Sequence, residues 1–149
     1  MTDGPDTKRP ATTGCICSRL RKASRRVSQI YDHHLEPHGL TITQFALLAN
    51  ISGNPGISIG ALAERLIMDP TTLTRNLRPL ERKEYLTLTP DPEDRRSRRV
   101  NLTEEGRAAL KNARPAWVEA QTSIENAVGV TKTPALNAAL DHLLEQLAP

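Results

Sequence analysis

Threonine and arginine side chains are grouped in residues 69–78 of this chain, and their types and spacing suit contacts with DNA. Asp69 is placed to cap a helix, and Pro70 suits its first position because an N–H there would have no helical partner. Hydroxyl groups and free backbone N–H groups at a helix N-terminus can contact phosphates, and an arginine one turn later can reach a guanine edge. The DNA contacts predicted from this helix are Thr71, Thr72, Arg75, Asn76 and Arg78.

A second group of cations follows in the segment DPEDRRSRR, residues 91–99. The DNA contacts predicted from it are Arg95, Arg96 and Arg98. Asp94 can hold one guanidinium in place while another enters a narrow minor groove. Either group alone could be an ordinary solvated surface, but their order and spacing favour a DNA-reading unit.

The elements around these two groups predict a winged helix-turn-helix. A short amphipathic helix capped by Ser58 precedes the helix at Asp69, in which leucines three and four residues apart predict a buried stripe. Residues 85–89 and 98–102 have the composition of two strands, with the arginine-rich segment as the turn between them.

Helices on either side of this unit have apolar faces that it cannot bury. Residues 15–36 predict a long amphipathic helix, and residues 42–52 a second one that Thr41 and Gln44 begin with a capping box. Residues 104–148 predict two further helices. We expect the surplus apolar faces to pack against a second copy of the chain. The residues predicted at that contact are Ile16, Leu20, Leu136, Leu140, Leu143, Leu144 and Leu147.

The length and net charge of the chain limit the fold classes and partners to be considered. The 149 residues predict a mainly α (α+β) fold, a winged helix-turn-helix with N- and C-terminal dimerisation helices. We expect residues 1–14 to be a flexible arm and residues 15–149 a single domain, with the winged lobe at about 41–103 and dimerisation helices at about 15–36 and 104–148. The net charge of +3 permits a polyanionic partner. Since the sequence has no signal-peptide pattern or spanning segment, we expect a cytoplasmic protein without a membrane partner.

The sequence resembles the MarR (multiple-antibiotic-resistance regulator) family of bacterial winged-helix repressors. The resemblance lies in LTITQFALLANI, SIGALAERLIMDPTTLTRNLRPLE and DPEDRRSRRVNLTEEG, at residues 40–51, 58–81 and 91–106. It implies a homodimer with interlocked first, fifth and sixth helices, bound to a palindromic operator and released or weakened by a ligand or oxidant. By position, it places the recognition-helix contacts on Thr71, Thr72 and Arg75 and the wing arginine on Arg95.

Two positions depart from that family pattern. Glu84 stands where the family usually has a glycine after the recognition helix, so we expect the helix end to differ. Pro79 lies within the helix and deprives the Arg75 carbonyl of its usual donor, so a kink or an early loosening is expected. Both departures affect the contacts beyond Arg78.

Candidate sensing residues lie outside the DNA-reading unit. Cys15 and Cys17 lie at the start of the first helix, where the helix dipole and nearby arginines favour thiolates that an oxidant could link across a dimer. Small apolar side chains at a subunit contact are the other interpretation. The residues suggested for a ligand cleft, each also suited to core packing, are Tyr31, His38, Phe45 and Trp117.

The predicted function is sequence-specific transcriptional regulation, by a repressor that binds a palindromic double-stranded DNA operator as a homodimer and is released by a small-molecule effector or oxidant. A metal- or thiol-redox-sensing repressor using Cys15 and Cys17 is the alternative, and a non-specific architectural DNA-binding protein is more remote. No catalytic residue, cofactor or metal site is predicted, because the sequence has no nucleophile–base pair, phosphate loop or set of ligands with metal-binding spacing.

Overall fold

The computed structural model describes residues 14–149, so the predicted arm at residues 1–14 lies outside the described residues except for Gly14. The described part contains six helices and three strands, with one turn of 3-10 helix after the first helix. In chain order they are α1 (Ile16–Leu35), the 3-10 turn (Glu36–His38), α2 (Ile42–Gly53), β1 (Ile57–Ser58), α3 (Ile59–Leu66), α4 (Pro70–Arg82), β2 (Leu86–Pro90), β3 (Arg98–Leu102), α5 (Glu104–Val128) and α6 (Lys132–Gln146). The mainly helical winged helix-turn-helix is therefore confirmed.

Side chains cap the helices where the sequence predicts. The capping box of Thr41 and Gln44 is complete, with both hydrogen bonds at 3.2 Å. The hydroxyls of Ser58 and Thr103 and the carboxylate of Asp69 each accept the backbone N–H three residues on, at 3.0–3.1 Å. Each such cap contributes about 1 kcal/mol. The cap at Asp69 fixes the start of α4 and hence the direction of its first turn.

The core lies where α2, α3 and α4 meet the sheet and the first half of α5. Its fully buried large side chains are Leu35, Leu47, Leu48, Ile51, Leu62, Leu73, Leu77, Leu80, Leu86 and Val100. Burial of one such side chain contributes about 1.5–3 kcal/mol. The core therefore fixes the rotation of α4 about its own axis, because three of these leucines belong to that helix.

The sheet has three antiparallel strands in the order β1-β3-β2. The predicted wing strands, β2 and β3, pair from Leu86↔Leu102 to Pro90↔Arg98. β1 was not predicted; this strand of two residues pairs Ile57 with Val100. A strand of two residues is too short to show the alternation of apolar and polar residues by which strands are predicted.

Two helices end at a non-glycine residue whose backbone is in the left-handed conformation. At the end of α3, Ile67 has φ +52°, and after α4, Glu84 has φ +60°. The Tyr85 amide donates to the Leu80 carbonyl at 3.0 Å and the Glu84 amide to the Glu81 carbonyl at 2.9 Å. This is the Schellman pattern that glycine usually completes. Glu84 therefore keeps the backbone of a glycine ending, and the expectation of a different helix end is wrong.

The proline within α4 does not end the helix. α4 continues through Pro79 to Arg82, and the Lys83 amide donates to the Pro79 carbonyl at 3.2 Å. The predicted early loosening is therefore not observed. Pro79 removes one helical hydrogen bond, and the buried Leu77 and Leu80 on either side of it hold this part of the helix against the core.

Candidate nucleic-acid interface

The outward face of α4 is free of contacts with the core. Leu73, Leu77 and Leu80 are fully buried on the opposite face. The predicted contact residues Thr71, Thr72, Arg75 and Arg78 are exposed, and Asn76 is partly buried. Two hydroxyls and two guanidinium groups thus lie along the first two and a half turns of α4, on the face away from the core.

β2, β3 and the turn between them, residues 91–97, form the wing. This turn is held by its own backbone hydrogen bonds and by Asp94. The Asp91 amide donates to the Ser97 carbonyl, and the Ser97 amide to the Asp94 carbonyl, both at 3.0 Å. The Asp94 carboxylate accepts the Arg96 amide at 3.0 Å. It therefore caps the turn backbone, and the expectation that Asp94 holds a guanidinium is wrong. The three arginines predicted to contact DNA, all exposed, are Arg95, Arg96 and Arg98.

A buried carboxylate fixes the base of the wing. Asp91 is only 8% exposed, accepts the Glu93 amide at 3.0 Å and pairs with Arg99 Nε at 3.3 Å. The backbone hydrogen bond from Glu93 lowers the pKa of Asp91 most, and Arg99 lowers this pKa further against the opposing effect of burial. Arg99 Nη1 also donates to the Gly56 carbonyl at 2.9 Å. This pair could not be predicted from the sequence, because nothing marks one acid as buried among the seven charged residues of positions 91–99.

A second contact that the sequence analysis missed joins the end of α4 to the connection after α1. Lys83 Nζ donates to the Gly39 carbonyl at 2.5 Å and lies 5.9 Å from the centre of the Tyr85 ring. Gly39 has φ +67°, which suits glycine. The recognition helix is therefore bonded directly to the connection between α1 and α2.

The two cysteines lie at the N-terminus of α1. Cys15 is the N-cap residue, and its Sγ accepts the Ser18 amide at 3.5 Å. Cys15 is partly buried, Cys17 is exposed, and both are free thiols.

Three of the four residues suggested for a ligand cleft stack together. The Trp117 ring centroid lies 6.2 Å from that of Tyr31 and 5.9 Å from that of Phe45. The Tyr31 hydroxyl donates to Gln121, and burial together with nearby Glu125 raises the pKa of Tyr31. His38 lies instead in the exposed 3-10 turn. The rings join α1, α2 and α5, and a ligand-binding role for them stays a prediction.

The helices assigned to dimerisation leave most of their apolar side chains uncovered. α6 contains no buried residue, and α1 buries only Leu35. Among the predicted contact residues, Ile16, Leu20, Leu136, Leu144 and Leu147 are 38–73% exposed, and Leu140 and Leu143 are partly buried. A contact with a second chain stays a prediction that these exposures favour.

Within residues 14–149, no group of three or more His, Cys, Asp or Glu side chains is arranged to hold a metal ion. This leaves the metal-sensing alternative without a set of ligands in the described chain. No described helix has both the length and the apolar content required to cross a membrane.

The fold and the exposed faces define a winged-helix protein of the type that includes known transcriptional regulators. A family model described as MarR family matches residues 40–97. The chain belongs to the MarR family.

Three similar proteins support this assignment. The M. tuberculosis transcriptional regulator MosR, in a crystal structure with DNA, is 37% identical with a TM-score of 0.77, over 91% of this chain and 99% of MosR. The transcriptional repressor CouR, bound to a 23-mer DNA duplex, is 28% identical with a TM-score of 0.79, over 87% of this chain and 92% of CouR. The HTH-type transcriptional regulator SarZ of Staphylococcus aureus is 32% identical over 93 residues, 62% of this chain. The chain spans 63% of the length of SarZ.

Proposed function

We propose that this chain is a homodimeric, sequence-specific DNA-binding repressor that acts in the cytoplasm on a palindromic operator. In this proposal α4 enters the major groove and the wing enters the adjacent minor groove. A small ligand or an oxidant then releases the DNA.

The observation that carries the proposal is the exposed face of α4. Thr71, Thr72 and Arg75 lie in its first two turns, on a helix whose opposite face is locked by fully buried leucines. A rigid helix that presents its N-terminal turns is the arrangement that helix-turn-helix proteins use to read base edges. The DNA complexes of MosR and CouR support the same assignment here.

The wing supports a second, less sequence-specific contact. Arg95, Arg96 and Arg98 are exposed on a turn whose backbone is closed by Asp94 and whose base is fixed by Asp91. Arginines on such a turn suit a narrow minor groove, where the negative potential is strongest. Contacts of this kind set affinity and position more than base sequence.

The uncovered apolar residues of α1 and α6 support the proposed homodimer, whose twofold symmetry matches that of a palindromic site. Two recognition helices in successive major grooves must lie about 34 Å apart. A ligand or modification that changes the angle between the lobes and the dimer helices would misplace one of them and release the DNA.

Selection of bound duplexes from a random DNA pool tests this function. We expect the parent chain to enrich a palindrome with half-sites about one helical turn apart, and Arg75→Ala to lose that enrichment. A pool that remains random would show the non-specific architectural protein instead. Enrichment of one asymmetric half-site would contradict the dimer.

A second candidate for the signal is oxidation of Cys15 or Cys17. Cys15 Sγ accepts the Ser18 amide at the N-terminus of α1, and Cys17 is exposed. The thiolate is the form of a cysteine that reacts. Attack of that thiolate on hydrogen peroxide would give a sulfenic acid and release hydroxide. Condensation with a second cysteine thiol would form a disulfide and release water.

The double variant Cys15→Ser/Cys17→Ser tests this candidate. We expect peroxide to weaken operator binding by the parent and to leave binding by the double variant unchanged, with a thiol reductant restoring the parent. Equal responses of the two proteins to peroxide would refute a cysteine sensor while leaving the DNA-binding proposal intact.

A further inference from the structure

An open cavity of about 1130 Å³ lies between α3 and the end of α6. Helix α3 and the turn after it form one wall, and the end of α6 forms the other. Most of the described residues that line this α3–α6 cavity are apolar, among them Ala61, Ile67, Met68 and Leu144. Pockets that bind drug-sized molecules have mainly apolar walls and volumes of about 300–1,000 Å³. The α3–α6 cavity is therefore large enough to hold an organic molecule.

Ile67, in the wall of this cavity, is both strained and exposed. Its backbone has φ +52° and ψ +47°, in the left-handed region that is unfavourable for a β-branched residue. Its side chain is 75% exposed, so packing within the described chain does not offset this strain. Residues with strained backbones are concentrated at functional sites, including those that hold ligands. A large apolar side chain kept in this position suits contact with a molecule from outside the chain.

Glu64 gives the cavity its charge. Among the described residues that line the cavity, Glu64 has the only ionisable side chain. It is exposed, and within residues 14–149 its carboxylate belongs to no ion pair. A carboxylate attracts a cation and repels an anion, and both effects are stronger where a bound molecule excludes water. The cavity therefore favours an apolar molecule with a positive charge.

The cavity also touches both sides of the residue that caps the recognition helix. Met68 and Pro70 line the cavity, and Asp69 between them accepts the Thr72 amide at 3.1 Å. Thr71 and Thr72, both proposed to contact DNA, follow directly. A molecule bound in the cavity therefore contacts the turn that sets the direction of the first turn of α4.

We propose that the α3–α6 cavity binds an organic cation with an apolar body, and that the bound cation lowers the affinity of α4 for DNA. The inference rests on the proposed function, for whose small ligand it names a site and a chemical class. Because coupling between two binding sites is reciprocal, bound DNA lowers the affinity for the cation by the same factor.

A second copy of the chain is the competing occupant, because Leu144 and Leu147 are among the residues predicted at the dimer contact. The α3 wall is not part of that predicted contact. A helix packed over Glu64 would take its carboxylate out of water, which is costly unless a cation pairs with it. A small organic cation supplies that partner itself, and this favours the small molecule.

Three naphthalene probes that differ in their head group test the charge of the site, by calorimetric titration of the full chain. We expect the parent to bind naphthylmethylammonium about fivefold more tightly than neutral naphthylmethanol, and naphthoate most weakly. Glu64→Gln should abolish the preference for the cation and leave the affinity for naphthylmethanol unchanged. Glu105→Gln, at an exposed acid on α5, is the matched control and should bind all three probes like the parent. A cation preference that survives in Glu64→Gln refutes the role of this carboxylate.

Ile67→Asn tests the apolar wall, because asparagine tolerates the left-handed backbone and removes the apolar side chain. We expect all three probes to bind about fivefold more weakly. Val130→Asn replaces another β-branched residue of similar exposure, 78%, in the connection between α5 and α6. It should bind the probes like the parent. Equal affinities of Ile67→Asn and the parent for the probes would refute the cavity as their site.

Operator titrations with and without naphthylmethylammonium test the effect on α4. We expect a saturating concentration to raise the Kd of the parent for a selected operator about fivefold. Ile67→Asn should need about fivefold more probe for the same effect, in proportion to its weaker binding of the probe. An operator Kd that stays unchanged while the cavity is occupied refutes the coupling to DNA.

Three further outcomes separate this proposal from the proposed function. A parent that selects a palindrome and binds no naphthylmethylammonium refutes the site and leaves the proposed function standing. A parent that binds the cation and selects no DNA sequence supports the site and contradicts the proposed function. An Ile67→Asn protein with unchanged probe binding and a weaker dimer, measured by sedimentation, assigns the cavity to a second copy and overturns the proposal.

Discussion

Arg99 Nε lies 3.3 Å from Asp91 Oδ1, and this pair connects the two ends of the wing. Asp91 follows β2 directly, Arg99 belongs to β3, and the second donor of Arg99 reaches the carbonyl of Gly56 beside β1. One carboxylate therefore fixes the position of a turn whose arginines point to solvent. The wing arginines proposed to contact DNA therefore depend on a pair that lies outside the proposed contact residues.

The first prediction concerns Asp91→Asn, which keeps the side-chain shape and removes the charge. We expect a lower urea midpoint and weaker DNA binding, because Arg99 loses its ionic partner and the wing loses its fixed base. Glu93→Gln is the control, since Glu93 contributes its backbone amide to Asp91. An unchanged midpoint in Asp91→Asn would show that the pair adds nothing to folding.

The second prediction is a pH dependence that originates at Asp91. Its pKa in the folded chain lies below the ordinary value of 3.8, so folding favours the ionised carboxylate. The resulting stabilisation is complete above the ordinary pKa and is lost as the pH falls through the lowered one. We expect the difference in unfolding free energy between the parent and Asp91→Asn to shrink on acidification below pH 3.8. A difference that stays constant down to about pH 2, well below ordinary carboxyl pKa values, would contradict this prediction.

The third prediction distinguishes the DNA contacts of α4 from those of the wing. Arg75→Ala should cost about 1–3 kcal/mol on a selected operator and much less on random DNA. Arg95→Ala should weaken both by similar factors and lower the salt dependence of binding. Titrations of both duplexes at several salt concentrations measure this, with exposed Arg114→Ala on α5 as the control. The assignment fails if Arg114→Ala weakens binding as much as Arg75→Ala does.

The fourth prediction uses the left-handed backbone after α4. Glu84 has φ +60°, which glycine adopts without steric cost. We expect Glu84→Gly to raise the unfolding free energy by about 0.5–1 kcal/mol, because relief of strain exceeds the added freedom of the unfolded chain. Glu81→Gly, three residues earlier inside the helix, should instead lower it by about 1 kcal/mol. Destabilisation by both changes would argue against strain at Glu84.

The fifth prediction concerns the packing of α5 against the strand region. A Cβ at Gly106 would lie 1.9 Å from the Tyr85 carbonyl oxygen, whereas one at Gly60 in α3 would meet nothing within 4 Å. Gly106→Ala should therefore lower the unfolding free energy by more than about 2 kcal/mol. Gly60→Ala should raise it by up to about 1 kcal/mol. Chemical denaturation of the two proteins provides the comparison.

The parts of this molecule that follow local rules could be predicted from the sequence. Thr41, Ser58, Asp69 and Thr103 each cap a helix, because the cap and its amide partner are three residues apart. The buried stripe of α4 follows from helical spacing in the same way. The predicted outward face of the recognition helix therefore agrees with the structure.

Contacts between residues distant in sequence could not be predicted in this way. Arg99 and Gly56 are 43 positions apart, and Lys83 and Gly39 are 44 apart. Each is a single hydrogen bond from a lysine or arginine side chain to a backbone carbonyl. From the sequence alone, any other lysine or arginine was an equally good candidate for it. Only the packing of the sheet and of α4 selects the partner.

The bond from Lys83 to Gly39 has a consequence for how a signal could reach the DNA-reading helix. Gly39 lies four residues after the end of α1, and Lys83 is the residue that follows α4. A rotation of α1 that displaces Gly39 must either break this 2.5 Å bond or move the last turn of α4 with it. The two helices thus share a direct contact, which offers a route from a movement of α1 to the helix that carries Arg75.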